Sequence, residues 1–364
     1  MKILFYINAI HHGGAERVMC NLATQFSEHG HTCVLVTSFR DEWEYPFGEK
    51  VQRITLFETQ IKQGFWKRNL SLVKALRKVL REEKPDILVS FMAEPNFRAI
   101  VASLGLKNKV IVSVRNDPNR EYRGRLNRFL AKTLFRLADG VVFQTEEAQK
   151  WFPKAIREKS RIIFNQVDEV FYRTVYDGER HDIVTTGRLT AQKNHKMLIH
   201  AFAMIADQIS DNLVIYGEGE LRGELEALVA ELHLKDRIFL PGSITDVANT
   251  IRSAKLFVLS SDYEGMPNSL MEAMALGLPC LSTDCPCGGP RMLFGESMEK
   301  CLVPIRNPHP LSCKMLQSLC HPEEAGATMQ FAQKQAEMFS PYRIFRTWND
   351  FLCDVQKLSM KKGG

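Results

Sequence analysis

Short apolar runs recur along the chain, and the longer stretches between them carry apolar residues at every third or fourth position. The first pattern predicts strands buried on both faces, and the second predicts helices with one apolar side. Residues 2–8 form such a run. They lead through Ala9-Ile10-His11-His12-Gly13-Gly14 into a helical stretch, 15–28, closed by Gly30. Strands are predicted at 33–39, 53–57, 86–91, 110–114 and 140–144, with helical stretches between them that include 65–83 and 121–138. Residues 165–182 hold no long apolar run and read as a connection. A second series follows, with strands at 183–186, 213–216, 237–242 and 256–259 and helices at 194–207 and from 268 to Gly277. Helical segments at 311–319, 323–339 and 341–357 complete the chain.

Strands alternating with helices predict doubly wound parallel sheets. A length of 364 residues suits two such domains. The expected division is 1–170 and 171–340. In an open parallel sheet, ligands bind beyond the carboxyl ends of the strands. The stretch 262–268 occupies that position, because it follows the apolar run 256–259 and precedes a helix opened by Pro267 and Asn268.

Composition narrows the class. Hydrophobic residues make up 45% of the chain and charged residues 25%, as in a globular protein. The nine cysteines are scattered without a metal-ligand pair of pairs, which fits a reducing compartment. The apolar run 3–7 is too short for a secretory signal, and no stretch reaches the length of a membrane span. The expected location is therefore the cytoplasm. The net charge of +6 is unevenly spread. Residues 1–178 hold 29 Lys and Arg against 20 Asp and Glu, or +9; the remainder holds 19 against 22, or −3. Much of the excess lies on helix 65–83, with Lys67, Arg68, Lys74, Arg77, Lys78 and Arg81, and on 121–138, with Arg123, Arg125, Arg128, Lys132 and Arg136. Such runs serve either as solvated helix faces or as docking surfaces for anionic membrane or an acceptor diphosphate. No nucleic-acid recognition motif accompanies them.

Candidate chemistry concentrates at the sheet edges. Glu264 precedes the predicted helix and Glu272 lies about one turn inside it. Alone, such a pair is equally well explained by helix-dipole interactions worth roughly 0.3–1 kcal/mol. Arg188 and Lys193 follow the strand 183–186, where fixed cations suit an anionic ligand. Gly13 and Gly14 stand between strand and helix, where backbone amides can approach a phosphate. The dinucleotide fingerprint G-x-G-x-x-G is absent there, and no acidic residue ends the second strand, which counts against a nicotinamide-dependent oxidoreductase. His11, His12, His29 and His31 form no metal-binding pair on a helix. No D-x-D triplet occurs either, so any diphosphate must be neutralised by the chain's own cations.

The string Glu264-Gly265-x-Pro267-x-x-x-x-Glu272, continued by Ala273, Ala275, Gly277 and Pro279, resembles the E-x7-E signature of the family-4 retaining glycosyltransferases. The resemblance extends to G-G-A-E-R at 13–17, S-x-R-N-D-P at 113–118, N-x-V-D at 165–168 and G-R-L with Lys193, in that order. It implies the GT-B architecture, two Rossmann-like domains facing across a cleft, with the tail 341–358 returning to the first. By the family pattern Arg188 and Lys193 hold a diphosphate and Glu272 the ribose. Glu264, with the amides near Gly265 and Asn268, holds the donor sugar. Gly13 and Gly14 then assist donor binding, and Arg115, Asn116 and Asp117 fall on the acceptor side. Arg115 departs from the histidine many relatives carry there, and Met292 from an acidic residue.

The activity so implied is retaining, metal-independent transfer of a hexose or N-acetylhexosamine from a UDP-sugar, with no further cofactor. The acceptor would be a glycan or lipid-linked glycan at the cytoplasmic face of a membrane. An epimerase or hydrolase on the same fold, or a binding subunit without turnover, are the competing readings.

Overall fold

A computed structural model of the chain describes residues 1–11, 13–62 and 64–360. The chain divides into two compact units, one formed by Met1–Asn165 with the segment from Ile344 onward, the other by Gln166–Arg343. The sequence pattern put this boundary at 170. It falls earlier because Val167 N–H donates to the Phe339 carbonyl at 3.1 Å and the Tyr172 hydroxyl donates to the Ala336 carbonyl at 2.8 Å. The expected connection 165–182 also contains a short helix, Glu169–Arg173, capped by the Asp168 carboxylate.

The first unit is a seven-stranded sheet of β1 (Lys2–Ile7), β2 (Thr32–Phe39), β3 (Gln52–Phe57), β4 (Ile87–Phe91), β5 (Lys109–Ser113), β6 (Gly140–Phe143) and β7 (Ser160–Ile162). Their order is β3-β2-β1-β4-β5-β6-β7, and every pair is parallel. Ile3 to Ile7 are wholly buried, as are Val34 to Val36 and Ile87 to Val89. Helices cover both faces of such a sheet, which is why the strands read as unbroken apolar runs.

Two details depart from the sequence pattern. The predicted helix 121–138 is broken: Pro118–Glu121 and Arg125–Leu134 are separate helices, and Gly124 between them takes φ +84°, which a residue with a Cβ rarely adopts. Strand β7 has no counterpart in the sequence pattern, whereas helix Ala93–Ser103 lies between two predicted strands, as expected. Helix Phe65–Glu83 forms over the predicted span. At the far end of the chain, Trp348 is fully buried, with its ring 6.0 Å from Phe91, and Phe345 lies 4.9 Å from Phe26.

The second unit is a six-stranded parallel sheet of β8 (His181–Thr186), β9 (Leu213–Tyr216), β10 (Ile238–Gly242), β11 (Ala254–Leu259), β12 (Cys280–Thr283) and β13 (Leu302–Val303). The order is β10-β9-β8-β11-β12-β13. The chain winds outward from β8 in one direction and from β11 in the other. Beyond the carboxyl ends of these two neighbours the connecting loops diverge, leaving the crevice in which open α/β folds bind ligands.

Candidate functional site

The loops leaving β8 and β11 carry Arg188, Lys193 and Glu264, and the second runs into helix Asn268–Ala275, which carries Glu272. Pro267 occupies the cap position of that helix, where its fixed φ fits and no N–H is lost. Gly277, at φ +67°, closes it: the Gly277 amide donates to the Met274 carbonyl and the Leu278 amide to the Ala273 carbonyl, a Schellman ending.

Backbone contacts fix the two loops against their neighbours. The Gly187 amide donates to the Tyr216 carbonyl at 2.9 Å, and the Leu189 amide to the Glu218 carbonyl at 2.8 Å. A Cβ at Gly217 would overlap the Gly187 carbonyl, and one at Gly219 the Leu189 carbonyl. Glycine is therefore what lets the β9 loop lie under the β8 loop. On the other side a Cβ at Gly289 would overlap the Gly265 carbonyl.

Lys193 Nζ lies 2.7 Å from Glu264 Oε1, which also accepts from the Ser261 hydroxyl at 2.8 Å. Gln192 Nε2 reaches Glu264 Oε2 at 3.3 Å and the Tyr263 carbonyl at 2.9 Å. The Ser260 hydroxyl donates to the Lys193 carbonyl, and the Asp262 amide to the Gln192 carbonyl. Asn194 takes a left-handed backbone and caps the following helix through Met197 N–H, while its Nδ2 reaches Asp262 Oδ1 at 2.8 Å. Below this network Thr283 and Cys285 both donate to the Ser261 carbonyl. Burial, with Glu264 next in effect, pushes the Cys285 thiol well above its usual range, so it stays protonated.

Arg188 differs from its neighbours. It is exposed, and its guanidinium has no hydrogen-bond or ion-pair partner among the described residues. Glu272 is 5% exposed. The loops leaving β8 and β11 and the helix that follows thus carry six of the predicted residues, Arg188, Lys193, Glu264, Gly265, Asn268 and Glu272. Cations and the first turn of a helix at such a sheet edge can attract an anion. The carboxylates beside them can accept hydrogen bonds from hydroxyl groups.

The other predicted residues lie in the first unit. A Cβ at Gly13 would overlap the Glu16 carboxylate, so the start of helix Gly14–Glu28 is met by a negative charge of the chain's own. Asp117 caps helix Pro118–Glu121 by accepting from Asn119 N–H, and Asn116 Oδ1 accepts from the Asp117 amide. Arg115 lies with its guanidinium carbon 3.5 Å from the Phe91 ring centre and donates to Asn165 Oδ1 at 2.9 Å. Gln144 Nε2 donates to the same oxygen at 2.6 Å. Arg115 Nε and Nη2 are shut off from solvent with no partner. Glu121 accepts from the Arg115 and Asn116 amides, and burial pushes its carboxyl up to about 7.

Sequence reasoning missed Gln192, Ser261, Gln144 and Glu121. Ser261 directly follows a buried strand at the ligand edge, and Gln192 adjoins Lys193; these positions were the available signal.

Family models match both units. A glycosyltransferase family 4 model covers residues 12–171, and a model of glycosyl transferases group 1 covers 180–321. The chain belongs to glycosyltransferase family 4. This family 4 transferase is 25% identical to a Campylobacter jejuni enzyme, GalNAc-alpha-(1->4)-GalNAc-alpha-(1->3)-diNAcBac-PP-undecaprenol alpha-1,4-N-acetyl-D-galactosaminyltransferase, over 98% of this chain and 99% of that one. It is 23% identical to the amylovoran biosynthesis glycosyltransferase AmsD of Erwinia amylovora over 96% and 99%. Among solved structures, Anabaena HepE in complex with UDP superposes with a TM-score of 0.82 at 18% identity, covering 97% of this chain and 100% of that one. The lipopolysaccharide outer core galactosyltransferase WaaB gives 0.76 at 20% identity, over 97% and 99%. The family 4 transferase therefore has the GT-B fold, two Rossmann-like α/β domains.

Proposed function

We propose that the chain transfers a hexose or N-acetylhexosamine, with retention of anomeric configuration and without a metal, from a UDP-sugar to a lipid-linked glycan. One observation carries this reading: the loop that follows β8, beside β11, carries Lys193 and an exposed Arg188 whose guanidinium has no partner among the described residues. The two cations and the first turn of helix Asn268–Ala275 hold the diphosphate, Glu272 the ribose and Glu264 hydroxyls of the donor sugar. As the glycosidic bond breaks, negative charge grows on the leaving phosphate. Arg188 and Lys193 stabilise that charge more than they stabilise the ground state. The leaving phosphate takes the acceptor's proton on the same face, so Glu264 is not a nucleophile. The UDP-bound neighbour supports the choice of nucleotide, and the undecaprenol-linked substrate in the name of the C. jejuni relative supports the acceptor class.

In the first unit Gly13, Gly14, Arg115, Asn116 and Asp117 serve the ligands, and the basic helices attach the enzyme to an anionic membrane surface. No described helix is long and apolar enough to cross a membrane. Helices Phe65–Glu83 and Arg125–Leu134 both pack against Ala93–Ser103 and expose Phe65, Trp66, Leu70, Leu126 and Phe129 among their cations. Apolar side chains ringed by Lys and Arg suit the headgroup boundary.

A panel of nucleotide sugars tested for protection against thermal unfolding identifies the donor, since a ligand at about 100 times its Kd adds about 2.7 kcal/mol. Protection by UDP-sugars that Arg188→Ala abolishes is expected. Protection that survives in both Arg188→Ala and Lys193→Ala would place the donor elsewhere. Product anomeric couplings and turnover in a chelator test retention and metal independence, and turnover itself separates a transferase from a binding subunit.

A further inference from the structure

In the first unit, backbone strain and a buried acid meet where the paired strands β4 and β5 end. Met92, the residue after β4, has φ +75° and ψ +158°. That region of backbone space belongs almost only to glycine, and a side chain is held in it by surroundings that over-determine it, most often at functional sites. Those surroundings are present. The Met92 amide donates to the Ser113 carbonyl at 3.2 Å, and the Asn96 amide to the Met92 carbonyl at 2.9 Å. Asn96 also accepts from the Ser90 hydroxyl at 2.6 Å and donates through Nδ2 to the Ser113 carbonyl at 2.8 Å.

Glu121 holds the same turn from the other side. Its carboxylate accepts from the amides of Arg115 at 3.3 Å and Asn116 at 3.2 Å, and from the amide of Ala93, the residue after Met92. One side chain thus fastens the strained β4 turn to the loop that carries Arg115, Asn116 and Asp117. Burial is the largest influence on its carboxyl and outweighs the three amides and the Arg115 charge. Arg115, which burial lowers to about 9, and the Tyr122 hydroxyl, which burial raises well above its usual range, are the titratable groups that face it; neither changes charge between pH 6 and pH 8. The fastened pieces can meet a ligand. Met92 is 38% exposed, and Asn116 is half-buried with no partner for its Nδ2 among the described residues. An apolar side chain and a free amide donor at one sheet edge suit a sugar, which offers both C–H faces and hydroxyls.

We propose that Glu121 is a positioning residue for the acceptor: its ionised carboxylate clamps the Met92 turn and the Asn116 loop into the arrangement that receives an acceptor sugar. Protonation removes the charge that strengthens the three amide bonds and so loosens the clamp. Because the carboxyl sits at about 7, the clamp closes within the neutral range. A buried acid so displaced at a ligand edge is a mark of function rather than of stability, since its ionised form weakens the fold. The inference rests on the acceptor-side reading of residues 115–117.

Steady-state kinetics of the full chain and of Glu121→Gln tests this, with the donor identified by thermal protection and an undecaprenyl-diphosphate-linked N-acetylgalactosaminyl glycan as acceptor probe. Acceptor KM of the wild type should rise about ten-fold from pH 8 to pH 6, as a group titrating near 7 requires. Glu121→Gln should show the higher value at both pH values, with UDP affinity unchanged. At pH 8 the variant should unfold no earlier than the wild type, because it lacks the buried charge; a merely structural role predicts no loss of acceptor binding from such a variant. Hydrogen exchange at the Ala93 and Asn116 amides should quicken in the variant at pH 8. Equal acceptor KM in the two proteins at pH 8, a parallel loss of UDP affinity, or unchanged exchange at both amides would overturn the proposal. A wild type that binds UDP yet transfers nothing to the probe would overturn the acceptor reading, and this inference with it.

Discussion

Lys193 Nζ and Glu264 Oε1 lie 2.7 Å apart, with 15% and 9% of their side chains exposed. The pair joins the β8 loop to the β11 loop across the switch point. In the proposed mechanism an arriving diphosphate competes for Lys193 and leaves Glu264 to accept from the donor sugar. Lys193→Ala should lower kcat by about 10²–10³. It also strands a buried carboxylate, which costs up to about 3–5 kcal/mol in a fully buried pair and less in this partly exposed one. The double variant Lys193→Ala with Glu264→Ala should regain part of that stability and none of the turnover. Steady-state kinetics beside denaturant unfolding separates the two effects; near-normal kcat in Lys193→Ala would remove the lysine from the mechanism.

The loop glycines differ in what surrounds them. At Gly289 an added methyl meets the Gly265 backbone, which cannot swing aside, whereas nothing lies within 4 Å of such a methyl at Gly223. Gly289→Ala should destabilise the fold by about 1–3 kcal/mol and weaken UDP binding. Gly223→Ala, on helix Arg222–Glu231, should stabilise it by about 0.5–1 kcal/mol. Equal melting temperatures for the two variants would refute the packing described for the β11 loop.

Glu121 gives the first unit a pH dependence. Its carboxyl sits at about 7 when folded against an ordinary 4.5, so the folded state binds the proton more tightly than the unfolded chain. The contribution to stability is present in full below about pH 4.5 and is lost as pH rises through about 7, amounting to about 3 kcal/mol at most. Glu121→Gln should flatten the stability profile across that interval. A profile equally steep in the variant would show that another group titrates there.

Membrane attachment through the basic helices should be electrostatic with an aromatic component. Lys67, Lys74 and Arg81 have no partner among the described residues, whereas Arg77 is committed to the carbonyls of Ala102 and Leu104. Flotation with vesicles containing anionic lipid should weaken with added salt, by about 1 kcal/mol for each cation neutralised. Trp66→Ala should weaken it further. Binding indifferent to salt would exclude the surface described.

By itself the sequence determined the parallel α/β class, most strand positions, helix Phe65–Glu83 and the placing of Arg188, Lys193, Glu264 and Glu272 near strand ends. These are local matters, since an apolar run, a capping proline or a terminating glycine acts within a few residues of itself. Only the tertiary structure decided that β8 lies beside β11, because strand neighbours are chosen by packing across long stretches of chain. That adjacency turns Lys193 and Glu264, 71 residues apart, into a pair and brings Gln192 and Ser261 to the same carboxylate. The cap at Asp117 and the helix break at Gly124, with its positive φ, are local as well, but the apolar spacing across 121–138 hides them.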